Sequence, residues 1–145
     1  MTLQINIRSV RLDDFDFIFE ALQQIHLNLD KDIFLENFKT KTKNKKSWIF
    51  IAENLGSQKL GFIICENINF IHFKNKAIII SNFYIAPKYR KMKAADLLYE
   101  YVEAKAIEHD VQQILVMCNI TATTTQNFYT KHKFKFDKKT YLKIL

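Results

Sequence analysis

The middle of the chain contains the residues whose types and spacing point most clearly to chemistry. Residues 82–98 have the pattern of a strand end, a proline, a basic turn and the start of a helix. The first turn of a helix leaves backbone N–H groups without partners and presents a positive dipole end, so it attracts anions. Lys88, Arg90, Lys91 and Lys93 would add mobile cations around this point. The segment therefore predicts a site for a diphosphate or polyphosphate, and the alternative is a plain strand–helix junction with surface lysines.

Hydrophobic periodicity predicts the elements that must position this turn. Apolar alternation or short apolar runs predict strands at 3–10, 48–53, 60–67, 77–85 and 114–118, with closing strands at 134–136 and 141–145. Helical spacing predicts helices at 13–25, 32–38, 94–109 and 123–132, with Asp13 and Asp30 as N-caps. The second, third and fourth strands should form an antiparallel meander. The order β-α-α-β-β-β-α-β-α-β(-β) indicates an α/β (α+β) sheet with helices on both faces.

Composition limits the classes of protein that the chain could be. Its 145 residues suit one domain over 1–145, and 48% apolar with 26% charged residues is typical of an ordinary globular protein. No apolar run is long enough for a membrane span or a signal peptide, so we expect a cytoplasmic protein with no membrane partner. Cys65 and Cys118 are expected to be buried, reduced thiols. The four histidines are isolated from one another and from cysteine pairs, so no metal is expected.

Charge is divided unevenly along the chain. Residues 1–38 contain three basic and seven acidic residues, whereas the remainder contains nineteen basic and eight acidic residues. Residues 39–46 include five lysines, separated by threonine and asparagine. This segment could contact RNA, but it lacks the interleaved aromatic residues that stack on bases, so RNA binding is possible but unsupported. A solvated lysine-rich loop is the favoured interpretation.

Two motifs make the chain resemble the GNAT superfamily of acetyl-CoA-dependent N-acyltransferases. The first family pattern is a strand, V-x-P, R/Q-x-x-G-x-G/A and a helix with a leucine pair. This chain has Ile85-Ala-Pro87, then Arg90-Lys91-Met92-Lys93-Ala94-Ala95, then Leu97-Leu98. The second pattern is F-Y-x-x-x-G-F, and the chain has Phe128-Tyr129-Thr-Lys-His-Lys133-Phe134. The element order also matches along the whole chain, so the resemblance implies a mixed, mainly antiparallel central sheet flanked by helices.

Lysines replace glycines of both motifs. Lys93 stands at the first glycine of the first motif, Lys91 stands directly after the arginine, where the family often has a glycine, and Lys133 stands at the glycine of the second motif. Glycine there permits a positive φ and a close approach of phosphate. A lysine held in the left-handed region costs about 1–2 kcal/mol. Because the backbone N–H groups remain and lysine adds charge-assisted contacts to phosphate, we expect acetyl-CoA binding to survive.

The resemblance implies a role for each matching residue. Backbone groups of Phe83, Tyr84 and Ile85 would pair with the pantetheine amides of acetyl-CoA, as an added strand does. The pyrophosphate would rest on the turn formed by Arg90, Lys91, Met92, Lys93, Ala94 and Ala95. Asn119 would lie at the end of the fifth strand and Asn127 near the cofactor. Tyr129 matches the family's general acid, which protonates the departing thiolate. Ser81 and Asn82 occupy the positions where many relatives have a basic glutamate; Glu53 and Glu66 lie on neighbouring strands, and no general base is assigned.

The implied activity is transfer of acetyl from acetyl-CoA to a primary amine, on a small molecule or a protein, by direct attack. The acidic residues in and around 24–32 would suit a cationic amine acceptor. Two alternatives remain open: a non-catalytic acyl-CoA-binding module, which the missing glycines favour, and an RNA-associated acyltransferase, which the basic body favours. A homodimer is possible from the family alone.

Overall fold

The computed structural model describes residues 4–72, 76–119 and 121–145, in two compact units that divide between Leu115 and Val116. The strands are β1 (Ile5–Ser9), β2 (Ser47–Asn54), β3 (Lys59–Ile68), β4 (Lys76–Ile85) and β5 (Val111–Val116). The α-helices are α1 (Phe15–Gln23), α2 (Lys31–Lys43), α3 (Ala94–Glu108) and α4 (Thr123–Lys131), and short 3-10 turns occupy Leu12–Asp14 and Pro87–Tyr89. The element order agrees with the sequence prediction from the first strand to the fourth helix.

The five strands form one mixed sheet in the order β1-β2-β3-β4-β5. β1 with β2, β2 with β3 and β3 with β4 are antiparallel, which confirms the predicted meander. A register shift at Ile64 and Cys65 leaves Ser81 as an extra residue in β4, since Ile64 faces Asn82 and Cys65 faces Ile80. Such a bulge bends the strand and redirects its last residues, which here lead into the basic corner.

One face of the sheet is covered by α1 and α2. Helical spacing predicts one apolar face of α1 formed by Phe15, Ile18, Phe19, Leu22 and Ile25. The first four are buried and pack with residues of β2 and β3 and with Phe38 of α2. Ile25, the last predicted member, is exposed because α1 ends at Gln23. Burial of four large side chains stabilises this layer by roughly 1.5–3 kcal/mol for each side chain.

Helix α3 packs on the opposite face of the sheet from α1 and α2. Helical spacing predicts a buried face formed by Ala94, Leu97, Leu98, Tyr101 and Val102. Three of these five are buried, namely Ala94, Leu98 and Val102. Leu97 and Tyr101 are more than a third exposed, whereas Tyr99 and Ala106 are buried. The Tyr101 ring still contacts Phe50 of β2 edge to face, at 4.9 Å between ring centroids. The buried stripe therefore lies slightly to one side of the predicted one.

A buried charge network fixes the start of α1 to the sheet. Arg8 of β1 binds the two carboxylate oxygens of Asp14 through separate nitrogens at 2.8 and 2.9 Å, and its Nε lies 3.0 Å from Glu53. Lys59 Nζ lies 3.0 Å from the same Asp14 carboxylate, whose side chain has no exposed surface. The predicted Asp13 cap does not form: Asp14 instead accepts from the backbone N–H of Arg11. The sequence patterns did not predict this network.

The secondary structure departs from prediction in the lysine-rich segment and in β5. Helix α2 runs to Lys43, so the first half of the lysine-rich segment is helical rather than a loop. Lysine favours helices, and Lys41 and Lys43 lie in the last turn, where cations interact well with the dipole. β5 begins at Val111, three residues before the predicted start, and includes two exposed glutamines that its apolar pattern did not suggest.

The predicted closing strands at 134–136 and 141–145 are wrong. The described residues beyond Lys133 contain no helix or strand. The large apolar residues Phe136, Tyr141, Leu142, Ile144 and Leu145 are all at least 82% exposed. A strand needs a neighbouring backbone for its hydrogen bonds, and apolar alternation alone does not supply one.

Candidate cofactor site and active site

The basic corner between β4 and α3 is built by short-range hydrogen bonds. Ala86 N–H donates to Leu60 O at 2.8 Å, which fixes the end of β4 on β3. The chain then turns through Pro87–Tyr89, where Tyr89 N–H donates to Ala86 O at 2.8 Å. Proline suits this first position because its φ is already fixed and it needs no acceptor. The corner therefore has a defined path from the sheet into the helix.

Arg90 closes the corner. Its Nε donates to Ile85 O at 2.9 Å, so the side chain folds back on the strand that precedes it. The residue remains exposed, as do the neighbouring Lys88, Lys91 and Lys93. Four cations thus surround the start of α3 with access to solvent. One guanidinium nitrogen of Arg90 holds the backbone, which leaves its planar end as a donor to an anion.

Two of the three motif lysines, Lys93 and Lys133, adopt the left-handed backbone conformation that glycine favours. Lys93, the residue before α3, has φ 60° and ψ 7°, and Lys133 has φ 67°. Most residues avoid this left-handed region because Cβ approaches the carbonyl oxygen. The structure thus keeps the glycine conformation although the glycines are gone. Lys91, by contrast, is not among the described residues with positive φ.

Helix α3 then supplies backbone donors. Its first intrahelical bond is donated by Leu97 to Lys93 O at 3.0 Å. The N–H groups of Ala94 and Ala95 precede that bond and have no carbonyl one turn earlier in the helix. Ala94 is fully buried. This arrangement favours an anion.

The end of β4 presents backbone groups on the side away from β3. In an antiparallel ladder, successive residues point their N–H and C=O groups to opposite sides. The N–H group of Ala86 bonds to β3. The backbone groups of Tyr84, which faces Phe62 in the register, therefore also bond toward β3, whereas those of Phe83 and Ile85 point away from it. The Tyr84 ring packs against Phe62 at 5.5 Å. Only two of the three predicted backbone positions therefore face the side on which β5 lies.

Gly61 permits this close pairing of β3 with the end of β4. A Cβ added to Gly61 would overlap the carbonyl oxygen of Tyr84 and lie 2.5 Å from Cδ1 of Ile85. The residue is buried and its φ is not positive, so the requirement is for space rather than for backbone freedom. No pattern in the sequence pointed to this glycine.

The second unit holds the remaining predicted residues. Tyr129 of α4 is 8% exposed, and its ring lies 5.4 Å from Phe128 and 5.1 Å from Phe134 between centroids. Asn127 is exposed. The Asn119 carboxamide oxygen accepts from the N–H and the hydroxyl of Thr121, at 3.0 and 2.9 Å. Asn119 thus shapes the loop before α4.

The two strand glutamates considered as bases are held in ion pairs. Glu53 pairs with Arg8. Glu66 pairs with Lys41, and its second oxygen accepts from the Ser47 hydroxyl at 2.7 Å. Ser81, in the bulge, donates to Ile64 O at 3.3 Å. These contacts identify no general base.

Cys65 has the environment of a structural thiol rather than of an activated nucleophile. Burial, with a smaller contribution from the nearby Glu66 charge, raises the pKa of Cys65 to about 12. A thiol with that pKa is protonated at neutral pH and is inert. Cys118 is partly exposed rather than buried, contrary to expectation, and both thiols are free.

Comparisons with known proteins give the family. The profile of the acetyltransferase (GNAT) family matches residues 11–134. The fold is similar to aminoglycoside antibiotic 6'-N-acetyltransferase AAC(6')-Ih from Acinetobacter baumannii, with a TM-score of 0.83 and 12% identity over 98% of this chain and 99% of that one. It is also similar to aminoglycoside N-acetyltransferase AAC(6')-Iy in complex with CoA, with a TM-score of 0.85 and 13% identity over 100% and 97% of the two chains.

A third solved structure, ribosomal-protein-alanine N-acetyltransferase from Brucella melitensis biovar Abortus 2308, has a TM-score of 0.78 and 15% identity over 98% and 99% of the two chains. No curated protein sequence matches the chain. In the described part of the chain, no helix is long and apolar enough to cross a membrane. The described residues also contain no group of three or more metal-ligating side chains. The chain belongs to the acetyltransferase (GNAT) family, which confirms the family, fold class and enzyme class predicted from its two motifs.

Proposed function

We propose that the chain, with residues 1–145 acting as one domain, transfers an acetyl group from acetyl-CoA to a primary amine by direct attack. Family membership supports the reaction class. The observation that carries the proposal is the left-handed backbone of Lys93 directly before α3, at φ 60°. That conformation preserves the phosphate-binding turn after the loss of its glycine, at an intrinsic cost of about 1–2 kcal/mol.

The residues present fit the phosphates and the pantetheine arm of acetyl-CoA. The pyrophosphate would contact the backbone N–H groups at Lys93, Ala94 and Ala95 and the side chains of Arg90 and Lys91. Its negative charge would face four exposed cations and the positive end of a 15-residue helix. Met92 would contribute backbone and apolar contact. One structurally similar enzyme is named as a complex with CoA, which agrees with this ligand.

The pantetheine amides would pair with the backbone of Phe83 and Ile85, whose groups point away from β3. Tyr84 would contribute through its ring rather than its backbone, because its N–H and C=O bond toward Phe62. A backbone N–H at the end of β4 would also donate to the thioester oxygen as negative charge develops on it. Asn119 and Asn127 remain predicted cofactor contacts, Asn127 as an exposed side chain on α4.

Acetyl-CoA supplies the activated acyl carbonyl, and the chain's own residues must move protons. The amine nitrogen attacks the thioester carbon, and the C–S bond breaks with its electron pair on sulfur. Tyr129 would give its hydroxyl proton to that sulfur. Tyrosine has a pKa of about 10 and a thiol about 8.5, so the transfer is only mildly unfavourable and is compatible with concerted bond cleavage. A protonated acceptor first gives one ammonium proton to water, because only the neutral amine has a lone pair for the attack. The second proton, lost by the nitrogen after the attack, also goes to water, since no side chain is assigned as the base.

The acceptor we propose is a cationic amine. Asp16, Glu20, Asp32 and Glu36 lie exposed on α1 and α2, while the Asp30 carboxylate caps α2 by accepting from the N–H groups of Asp32 and Ile33. An acidic surface raises the local concentration of cations. Two of the structurally similar enzymes are named aminoglycoside acetyltransferases, and aminoglycosides are polyamines, which supports the same class of acceptor.

The test is release of free CoA thiol from acetyl-CoA with a panel of polyamines, aminoglycosides and peptide amines. We expect turnover with at least one cationic amine. Tyr129→Phe keeps the buried ring and removes only the hydroxyl, so it should lower kcat by about 10²-fold with unchanged acetyl-CoA affinity. Acetyl-CoA binding with no turnover on any amine would support the non-catalytic binding module instead. Full activity in the Tyr129→Phe variant would contradict the acid role.

A further inference from the structure

A basic cavity lies at the opposite end of the sheet from the basic corner. It has a volume of about 370 Å³ and is lined by the end of β1, the end of α2, the start of β2 and the last turn of α3. Its basic lining residues are Lys41, Lys43, Lys45, Lys105 and His109, and none of the described residues that line it carries a carboxylate. This volume is within the range of about 300–1,000 Å³ that is usual for small-molecule sites.

The cavity has more positive charge than its surroundings neutralise. Glu66 offsets one of the four lysine charges by pairing with Lys41. The C-termini of α2 and α3 each contribute roughly half a negative charge, about one in total. About two positive charges therefore remain on the lining lysines that neither a described ion pair nor a helix end offsets. A phosphate monoester carries about −1.5 to −2 at this pH, so its charge matches this excess.

An aromatic wall adjoins the lysines. The Trp48 ring lies 5.5 Å from the His109 ring between centroids, at 51°, and 6.4 Å from Phe50. Trp48 is only partly buried, so part of its surface is open to a ligand. Stacking of a base on such a ring contributes roughly 1–3 kcal/mol. A planar ring and a phosphate could therefore be bound by the same cavity.

This cavity is separate from the acetyl-CoA turn. Lys105 and His109 lie at the end of α3, whereas the turn precedes its first residue, Ala94. Fifteen residues of helix separate Ala94 from His109, a distance of about 22 Å along the axis. In the sheet, Trp48 pairs with Cys65, four residues along β3 from Gly61, which pairs with Ile85.

We propose that this cavity binds a nucleotide through a phosphate monoester on the lysines and a base against Trp48. Lys43 and Lys45 are the exposed phosphate contacts, and Lys105 supplies a partly buried one. The ligand chemistry is shared by a free nucleoside monophosphate and by the 5′-phosphorylated end of an RNA strand. If the ligand is an RNA end, this cavity is where the lysine-rich segment would contact RNA.

Trp48 is the chain's single tryptophan, so its fluorescence reports on this cavity directly. The full chain should be titrated with UMP, a nucleotide whose base is not part of CoA, and with uridine, which lacks the phosphate. We expect a saturable fluorescence change with UMP and an affinity at least about tenfold higher than that for uridine. Added salt should weaken UMP binding, because exposed charges are screened. A 5′-phosphorylated oligouridine distinguishes the sources: tighter binding than UMP identifies a strand end, and equal binding identifies the free nucleotide.

Lys43→Ala tests the lysine contact, and Lys39→Ala is the matched control. Both lysines are exposed residues of α2 and both changes remove one charge, but only Lys43 lines the cavity. Lys43→Ala should weaken UMP binding by roughly 3- to 10-fold and Lys39→Ala by less than about twofold. No saturable change up to about 10 mM UMP, or equal weakening by the two substitutions, would overturn the proposal.

Discussion

Replacing Lys93 by glycine should stabilise the protein, although glycine usually lowers stability by giving the unfolded chain more freedom. Lys93 has φ 60°, where a side chain costs about 1–2 kcal/mol and glycine costs nothing for the same geometry. Glycine also lowers the free energy of unfolding by roughly 0.5–1 kcal/mol, because it gives the unfolded chain more conformational freedom. The balance is a gain of about 0.5–1 kcal/mol in the free energy of unfolding for Lys93→Gly.

Two substitutions serve as controls for this prediction. Lys91 does not have a positive φ, so Lys91→Gly relieves no strain and only increases the freedom of the unfolded chain. It should destabilise the protein by roughly 0.5–1 kcal/mol. Lys93→Ala removes the same charge as Lys93→Gly but keeps the strain, so it should not gain stability. For 145 residues the unfolding entropy of about 2.1 cal/mol/K per residue makes 1 kcal/mol equal to about 3 °C in Tm.

The three variants and the wild type should be compared by thermal and urea unfolding, measured by circular dichroism. We expect Lys93→Gly to melt about 3–6 °C above Lys91→Gly. Equal destabilisation by the two glycines would show that the backbone at Lys93 is unstrained. The inference of a preserved glycine conformation would then be wrong.

Two further predictions concern the buried charge network and Gly61. Burial alone raises the pKa of Asp14, but the hydrogen bonds from Arg8, Arg11 N–H and Lys59 lower it to about 2. Since the folded pKa lies below the unfolded value near 4, this carboxylate stabilises the fold by about 2 kcal/mol above pH 4, and that contribution is lost as the pH falls through 2. Asp14→Asn should lower the free energy of unfolding by about 3–5 kcal/mol. In urea titrations at pH 2–5, the stability of this variant should depend less on pH than that of the wild type. An unchanged pH profile would contradict the role of Asp14. Gly61→Ala should lower the free energy of unfolding by about 1–3 kcal/mol and weaken acetyl-CoA binding, because the new Cβ overlaps β4. Gly56→Ala is the control and should be tolerated, because its added Cβ would come no closer than 3.5 Å to its neighbours. Similar melting temperatures of the two variants would contradict the close approach of β3 and β4 at Gly61.

The sequence predicted most of the features that depend on local patterns. The α1 stripe from Phe15 to Leu22 follows from helical spacing, and the two motifs identified both the family and the positions of Lys93 and Lys133. The glycine pattern explains why these two lysines were expected in the left-handed region. The third lysine, Lys91, does not adopt it. Short motifs therefore predicted the path of the corner but not every backbone angle.

Features that depend on long-range contacts were not predicted. Arg8 and Lys59 meet at Asp14 from separate elements, and no periodicity shows that these three side chains share a buried site. Trp48 and His109 are brought together only when β2 and α3 pack. The prediction of the closing strands was wrong because it relied on local pattern alone. Residues 134–145 have the side chains that strands favour, but no described strand pairs with their backbone.

The proposed function depends above all on a turn that has lost its glycines and still binds the diphosphate of acetyl-CoA. Isothermal calorimetry of the full chain with acetyl-CoA, repeated with the Arg90→Ala variant, measures that binding. We expect a single site with an affinity of about 1 mM or tighter in the wild type, and binding roughly tenfold weaker in the variant. Absence of heat together with an unshifted Tm at millimolar acetyl-CoA would contradict the proposed role of the turn.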